Sequence, residues 1–226
     1  MNSKVKLTKP ADTVPAAAWL AVTSLSFLKP RLRRSLQPIA AMAVRLGVTA
    51  NQVTLASLAG SILVGALLTW KNGAHGVFIL LPAWLVMRTF LAGLDGTLAL
   101  DFGQKSRLGG ILNEVGDLIS DIALYSPFVL IAPFSPGWVL VVIGLAVICE
   151  LIGITAGALN LGRRCEGPAG KTDRSFVFGL LGLSFSLQGA LPTWMSVAMP
   201  LLASLLVLTA VNRVRFSLSA HSDQLQ

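Results

Sequence analysis

Long apolar runs separated by short polar segments dominate this sequence. A run of roughly 17 to 25 apolar residues is long enough to cross the hydrocarbon core of a bilayer as an α-helix. Six runs meet this description, at residues 52–70, 77–94, 110–133, 137–161, 176–191 and 194–211. The pattern therefore predicts an all-α fold, a polytopic membrane bundle of six transmembrane helices.

A different pattern precedes the first predicted span. Residues 14–28 are apolar, and the segment 30–46 combines basic and apolar positions in the manner of an amphipathic helix on a membrane surface. The basic run that begins at Lys29 argues against a cleaved signal peptide, so we expect an N-terminal interfacial amphipathic helix. Thr49 or Asn51 is expected to cap the first span. The predicted organisation is an N-terminal segment 1–48, a membrane domain 49–212 and a tail 213–226.

Composition and charge support this topology and orient it. Hydrophobic residues make up 54% of the chain and the mean hydropathy is +0.73, values typical of a membrane protein. Nearly all lysines and arginines fall on one side of an alternating six-span topology, and the positive-inside rule makes that side cytoplasmic. Both termini are then cytoplasmic. The net charge of +8 is better explained by anionic lipid head groups than by nucleic acid, which we do not expect as a partner.

Carboxylates interrupt the apolar pattern at the cytoplasmic ends of the second and third spans. An ionised group in hydrocarbon is costly unless it faces a partner, a metal or water, so these residues are candidates for function. Asp95 ends the second span, and with about 100° per helical residue four polar side chains of the third span share one face: Asn113, Glu114, Asp117 and Asp121. We expect these oxygen ligands to converge with Asp95 on a hard divalent cation, Mg²⁺ or Mn²⁺.

The spacing of these residues resembles the signature of the CDP-alcohol phosphatidyltransferase family, Asp-x2-Asp-Gly-x2-Ala-Arg-x8-Gly-x3-Asp-x3-Asp. In that register the sequence has Ala92, Asp95, Gly96, Ala99, Leu100, Gly109, Asn113 and Asp117. The spacing is kept, but Ala92, Leu100 and Asn113 depart from the motif. The resemblance implies a bacterial inner-membrane enzyme that transfers a phosphatidyl group from CDP-diacylglycerol to an alcohol and releases CMP.

The resemblance also implies roles for individual residues. Asp95 would be a ligand of one or two divalent ions on the donor diphosphate, and Asp117 a general base as well as a ligand. Since two of the four signature carboxylates are missing, we expect Asn113, Glu114 and Asp121 to complete the ligand set, although a structural role is an equal alternative for Glu114 and Asp121. The residues expected to contact the donor are Asn51, Thr54, Gly96, Ala99 and Gly109.

A basic loop between the fourth and fifth spans faces the same side as the carboxylates. In the family the corresponding region supplies cations for an acceptor phosphate, which implies that role for Arg163, Arg164 and Lys171. The small alcohol acceptor is then expected to be a polyol phosphate such as glycerol 3-phosphate, although positive-inside topology alone would also place cations here. Glu150, inside the fourth span, is expected to pair with a basic residue such as Arg88. The family resemblance further suggests a homodimer.

Two other functions compete with the transferase. The departures from the motif would suit a family member that has lost its chemistry and serves as a lipid-binding or partner-binding membrane subunit. An ion or proton carrier would need polar residues that continue to the outer side, whereas those found here concentrate at the cytoplasmic end. The kept spacing favours the enzyme.

Overall fold

The computed structural model describes residues 29–71, 74–159, 161 and 167–224, and every regular element within them is a helix. The α-helices are α1 (Lys29–Arg45), α2 (Ala50–Trp70), α3 (Leu80–Asp101), α4 (Arg107–Tyr125), α5 (Pro136–Ala158), α6 (Lys171–Gln188) and α7 (Ala198–Gln224). Short 3₁₀ turns at His75–Ile79 and Thr193–Val197 lead into α3 and α7, and a third at Ser126–Leu130 extends α4. The all-α prediction is confirmed, and each of the six predicted runs contains a helix, although the third, fourth and fifth runs extend a few residues beyond their helices.

Four helical segments are long and apolar enough to cross a membrane by length and composition: Ala50–Trp70, His75–Asp101, Pro136–Ala158 and Thr193–Ser219. These correspond to the first, second, fourth and sixth predicted spans. The helices of the third and fifth, α4 and α6, each contain at least three charged residues. The number of six spans therefore stays a prediction.

The N-terminal helix α1 has nearly the predicted extent and packs on α3. Leu36, Ala40 and Ala43 are buried, whereas Ile39 and Met42 are exposed apolar side chains. Its expected place at the membrane surface stays a prediction, and the apolar segment 14–28 lies outside the described residues.

The first turn of α2 is fixed by two neighbouring segments. Of the two caps that the sequence allows, Thr49 and Asn51, the structure has Thr49: its hydroxyl accepts a hydrogen bond from the Gln52 amide, and the Gln52 side chain accepts one from the Thr49 amide. The Ala50 amide donates to the side-chain oxygen of Gln104 at 2.7 Å, which joins α2 to the segment after α3. These bonds hold the start of α2 beside the end of α3.

Helices α2 and α4 run in the same direction and touch at both ends. Near their starts, a Cβ atom on Gly109 would lie 2.6 Å from the side-chain oxygen of Asn51. Further along, Gly65 approaches the backbone of Ala123 so closely that a Cβ atom would overlap its carbonyl group. The two helices therefore traverse the same depth of the bundle.

Helices α3 and α6 pack antiparallel, and glycines on α6 bring them together. Gly182 faces Leu81, and one turn earlier Gly179 faces Leu85. Beyond this contact, five aromatic side chains form a buried cluster around the start of α3: Phe78, Tyr125, Phe128, Phe178 and Phe185. The aromatic cluster fills one end of the bundle, and the charged side chains lie toward the other.

Candidate functional site

The predicted polar residues of α3 and α4 line one cleft beside α2, which we call the signature cleft. Its lining residues are Thr54, Ser57, Leu58, Ala92, Asp95, Asn113, Gly116, Asp117 and Ser120. The structure thus brings together Asp95, Asn113 and Asp117, as the sequence predicts.

Asp95 is held in this cleft by a hydroxyl group. The Thr54 side chain donates a hydrogen bond of 2.8 Å to Oδ2 of Asp95, and the same hydroxyl lies 3.1 Å from the Ala50 carbonyl oxygen of its own helix. No described cation lies within ion-pair distance of Asp95, which is only partly exposed. This carboxylate therefore presents negative charge to the cleft.

Asp117 is held by two cations. Nη2 of Arg88 lies 3.0 Å from its Oδ1 atom and also donates to its backbone carbonyl oxygen at 3.1 Å. Lys171, the first residue of α6, pairs with the Oδ2 atom. Each carboxylate oxygen of Asp117 thus faces a positive side chain, although a quarter of the side chain remains exposed.

Asp121 lies one helical turn further along α4 and is buried. Its Oδ1 atom is 2.6 Å from Nη1 of Arg88, and its Oδ2 atom is 3.2 Å from Nη2 of Arg174. Asp121 lines a second pocket, together with Tyr125 and Glu150, instead of the signature cleft. Two arginines at its oxygens favour the structural role that the sequence left open.

Glu150 completes a chain of ion pairs across the bundle. It pairs with Arg174 at 3.0 Å and with Arg213 of α7 at 3.7 Å. The expected pairing of Glu150 with a basic residue is confirmed, but Arg88 as its partner is wrong. The Arg88 guanidinium pairs with Asp117 and Asp121 of α4. The arginines that pair with Glu150 on α5 come from α6 and α7.

The remaining predicted residues have mixed surroundings. Glu114 is half-buried and does not line the signature cleft. A Cβ atom on Gly96 would meet nothing within 4 Å, so a ligand has room there, whereas Ala99 packs on the apolar cluster around Leu98. Asn51 and Gly109 touch each other at the α2–α4 contact. Arg163 and Arg164 lie outside the described residues, and Lys171 is the described member of the basic loop.

Sequence reasoning missed Arg174 and Arg213, both fully or nearly buried. The available signal was their position at the polar ends of α6 and α7, since a buried cation in an apolar bundle requires an acidic partner. Arg88 lies seven residues before Asp95, on the same face of α3, but its partners on α4 could not be identified from spacing alone.

In the described part of the chain no three His, Cys, Asp or Glu side chains are grouped closely enough to hold a metal ion by themselves. The signature cleft instead offers two carboxylates and the Asn113 amide. These are hard oxygen donors suited to Mg²⁺ or Mn²⁺, which commonly keep water and substrate phosphate oxygens as further ligands.

The chain matches the family model described as CDP-alcohol phosphatidyltransferase over residues 47–211. It is 39% identical over 188 residues to "Inner membrane protein YnbA" of Escherichia coli (strain K12), covering 83% of this chain and 93% of that protein. It is 30% identical over 184 residues to "Phosphatidylinositol phosphate synthase" of Mycolicibacterium smegmatis, covering 79% and 81% of the two chains.

Solved structures of Mycobacterium tuberculosis phosphatidylinositol phosphate synthase (PgsA1) are similar to this fold. The structure with CDP-DAG bound gives a TM-score of 0.68 at 25% identity and covers 81% of this chain and 94% of that one. The structure of the same protein with manganese and citrate gives a TM-score of 0.66 at 24% identity, with coverage of 80% and 87%.

Proposed function

This chain belongs to the CDP-alcohol phosphatidyltransferase family, and on that premise we propose that its signature cleft transfers a phosphatidyl group from CDP-diacylglycerol to a small alcohol. The observation that carries the proposal is the meeting of Asp95 and Asp117, from adjacent helices, in one cleft with Asn113. The CDP-DAG bound to the mycobacterial relative supports the same class of donor.

In the proposed reaction the acceptor hydroxyl oxygen attacks the phosphorus that carries the diacylglycerol. The new P–O bond replaces the bond to CMP, which leaves, and the hydroxyl proton passes to a carboxylate oxygen of Asp117. Lys171 occupies the Oδ2 atom of Asp117 and is about one-third exposed. An acceptor phosphate would draw this ammonium group away and leave Oδ2 free to take the proton.

The cofactor of the proposed reaction is Mg²⁺ or Mn²⁺, held by Asp95, Asn113 and Asp117. A bound divalent ion would neutralise charge on the donor diphosphate. The Thr54 hydroxyl orients Asp95 for this role, as partners of metal ligands commonly do. Asn51, Gly96, Ala99 and Gly109 belong to the proposed donor surface, while Glu114 and Asp121 are weaker candidates as ligands.

The proposed acceptor is a polyol phosphate. Lys171 beside Asp117 supports an anionic acceptor, with Arg163 and Arg164 of the preceding loop as further proposed phosphate contacts. Glycerol 3-phosphate and, by analogy with the named relatives, an inositol phosphate are the compounds to test.

Six membrane crossings are part of the proposal. Helix α4 follows α2 from Gly109 to Ala123, and α6 lies antiparallel to α3, so both traverse the depth of helices that are apolar enough to span. The charged residues that distinguish α4 and α6 from the four more apolar segments face partners inside the bundle: Asp117, Asp121 and Arg174 all form ion pairs. We place the chain in a bacterial inner membrane with α1 on its surface and both termini cytoplasmic, as a homodimer with no nucleic-acid partner.

The decisive experiment measures CMP release by the purified protein with CDP-diacylglycerol, Mg²⁺ or Mn²⁺ and a panel of alcohols and polyol phosphates. We expect turnover with one acceptor, and a loss of about a hundredfold or more in Asp117→Asn because a positioned base contributes on that order. Asp101→Asn, an exposed carboxylate outside the cleft, is the matched control and should retain activity.

A second function follows from Ala92, Leu100 and Asn113, which replace signature residues. A family member without chemistry would still bind a CDP-linked lipid. Tight binding of CDP-diacylglycerol without CMP release in the presence of any acceptor would support this lipid-binding subunit and contradict the transferase.

A further inference from the structure

One face of α3 carries a basic residue one helical turn before the position at which the family signature has its first aspartate. Arg88, Ala92 and Asp95 lie four and three residues apart, so they follow one another along a single helix face. Ala92 holds the position of the first signature aspartate. Arg88, one turn before it, is buried and reaches across to Asp117 and Asp121.

The two carboxylates of the signature cleft have opposite surroundings. Asp95 accepts a hydrogen bond from the neutral Thr54 hydroxyl, whereas Asp117 is paired at one oxygen with Arg88. Lys171, at the other oxygen, is partly exposed and can leave, but the Arg88 side chain is only 6% exposed and has two acidic partners. Arg88 is therefore the fixed counter-charge of Asp117.

The balance of charges around the cleft indicates how many divalent ions it can hold. Ion pairs connect four cations with three carboxylates, and Asp95 lies beside Asp117 in the signature cleft; the eight side chains of this group are Arg88, Lys171, Arg174, Arg213, Asp117, Asp121, Glu150 and Asp95. This group is neutral without any ion. One divalent cation would balance the two negative charges of a donor diphosphate, whereas a second would leave two positive charges without partners in a low-dielectric bundle, which is costly.

We propose that the guanidinium group of Arg88 takes the place of one metal ion, so that the cleft binds a single divalent cation on the Asp95 and Asn113 side. Arg88 is then a positioning residue: it holds Asp117 toward the reacting groups without touching them. The inference rests on the proposed function, but its test does not depend on turnover.

The test is the number of Mn²⁺ ions bound per chain with CDP-diacylglycerol present and no acceptor, measured by titration and electron paramagnetic resonance on the full-length protein in detergent. We expect one ion per chain in the unmodified protein and no Mn–Mn coupling. In the double variant Arg88→Leu/Ala92→Asp the cation is removed and the signature carboxylate restored, so two coupled ions are expected. Two ions in the unmodified protein, or none, would overturn the proposal.

Single substitutions separate the role of Arg88 from a general effect on folding. Ala92→Asp alone should still bind one ion, because Arg88 can pair with the added carboxylate. Arg88→Lys keeps the charge and should keep the stoichiometry of one. If Ala92→Asp alone binds two coupled ions, Arg88 does not exclude the second ion and the inference fails.

The two proposals fail in distinguishable ways. CMP release by a protein that binds two ions would contradict the single-ion inference and leave the transferase intact. Binding of one ion without CMP release under any condition would contradict the transferase and leave the role of Arg88 intact.

Discussion

At the scale of single residues, the aspartates of the signature cleft differ in what holds them. Asp95 depends on one hydroxyl, and Asp117 depends on two cations. A carboxylate without a cation attracts a metal ion, whereas one already paired is oriented by its partners. On the proposed function, this difference makes Asp95 the stronger metal ligand, and it favours Asp117 as the base in addition to its place in the ligand set.

Thr54→Val should weaken metal binding, because valine has nearly the same shape but cannot donate to Asp95. Removal of a hydrogen-bond partner of a metal ligand commonly costs 10–100-fold in affinity, so we expect Mn²⁺ to bind about tenfold more weakly or worse. Titration with Mn²⁺ measures the change.

Thr69→Val is the matched control on the same helix. The Thr69 hydroxyl donates only to the Gly65 carbonyl oxygen within α2, at 2.9 Å, and lies at the end of the helix away from the cleft. An equal loss of Mn²⁺ affinity in both variants would show that Thr54 does not act through Asp95.

At the scale of elements, the position of α4 depends on how closely it approaches α2. Gly65 allows the two backbones to meet at Ala123, and this contact sets the separation of the helices that line the cleft. Such close approach through small residues is typical of helix packing in membranes.

Gly65→Ala should destabilise the protein, because the added methyl group would overlap a backbone carbonyl that cannot rotate away. Overpacking of this kind costs about 1–3 kcal/mol, so we expect a clear fall in the midpoint of thermal unfolding in detergent.

Gly144→Ala in α5 is the control, since a Cβ atom there would meet nothing within 4 Å. Alanine also favours a helix over glycine by about 1 kcal/mol, so this variant should be unchanged or more stable. An equal fall in the midpoint of thermal unfolding in both variants would show that the close contact at Gly65 is not the cause.

At the scale of the whole molecule, α4 and α6 decide how many times the chain crosses the membrane. With six crossings the segment between α4 and α5, which contains Ser135, lies on the outer side. If only the four most apolar segments cross, α4 stays inside and Ser135 is cytoplasmic. The two topologies therefore place one exposed residue on opposite sides.

Ser135→Cys should be labelled in intact cells by a membrane-impermeant maleimide. Lys105 is also exposed and lies on the proposed cytoplasmic side in both topologies, so Lys105→Cys should be labelled only after the cells are lysed. Both variants are made with Cys165 replaced by serine. Protection of Ser135→Cys in intact cells would contradict six crossings.

The sequence by itself determined the helices and the local arrangement of polar groups. Apolar length located a helix in each of the six predicted runs, although several helix ends differ by some residues. Thr49 could be predicted as one of two candidate caps because its partner lies three residues away. Spacing along α3 and α4 also predicted that Asp95, Asn113 and Asp117 meet in one cleft, since the segment that joins these helices is short. Such features depend on neighbours in the chain.

Only the tertiary structure decided which charges neutralise one another. The sequence suggested Arg88 as one basic partner for Glu150, but Arg88 on α3 pairs with Asp117 and Asp121 of α4, and Arg174 of α6 pairs with Glu150. In a low-dielectric interior each charge must find a partner, and the partner is chosen by which helix lies alongside. That choice depends on side chains distant in sequence, so periodicity cannot supply it.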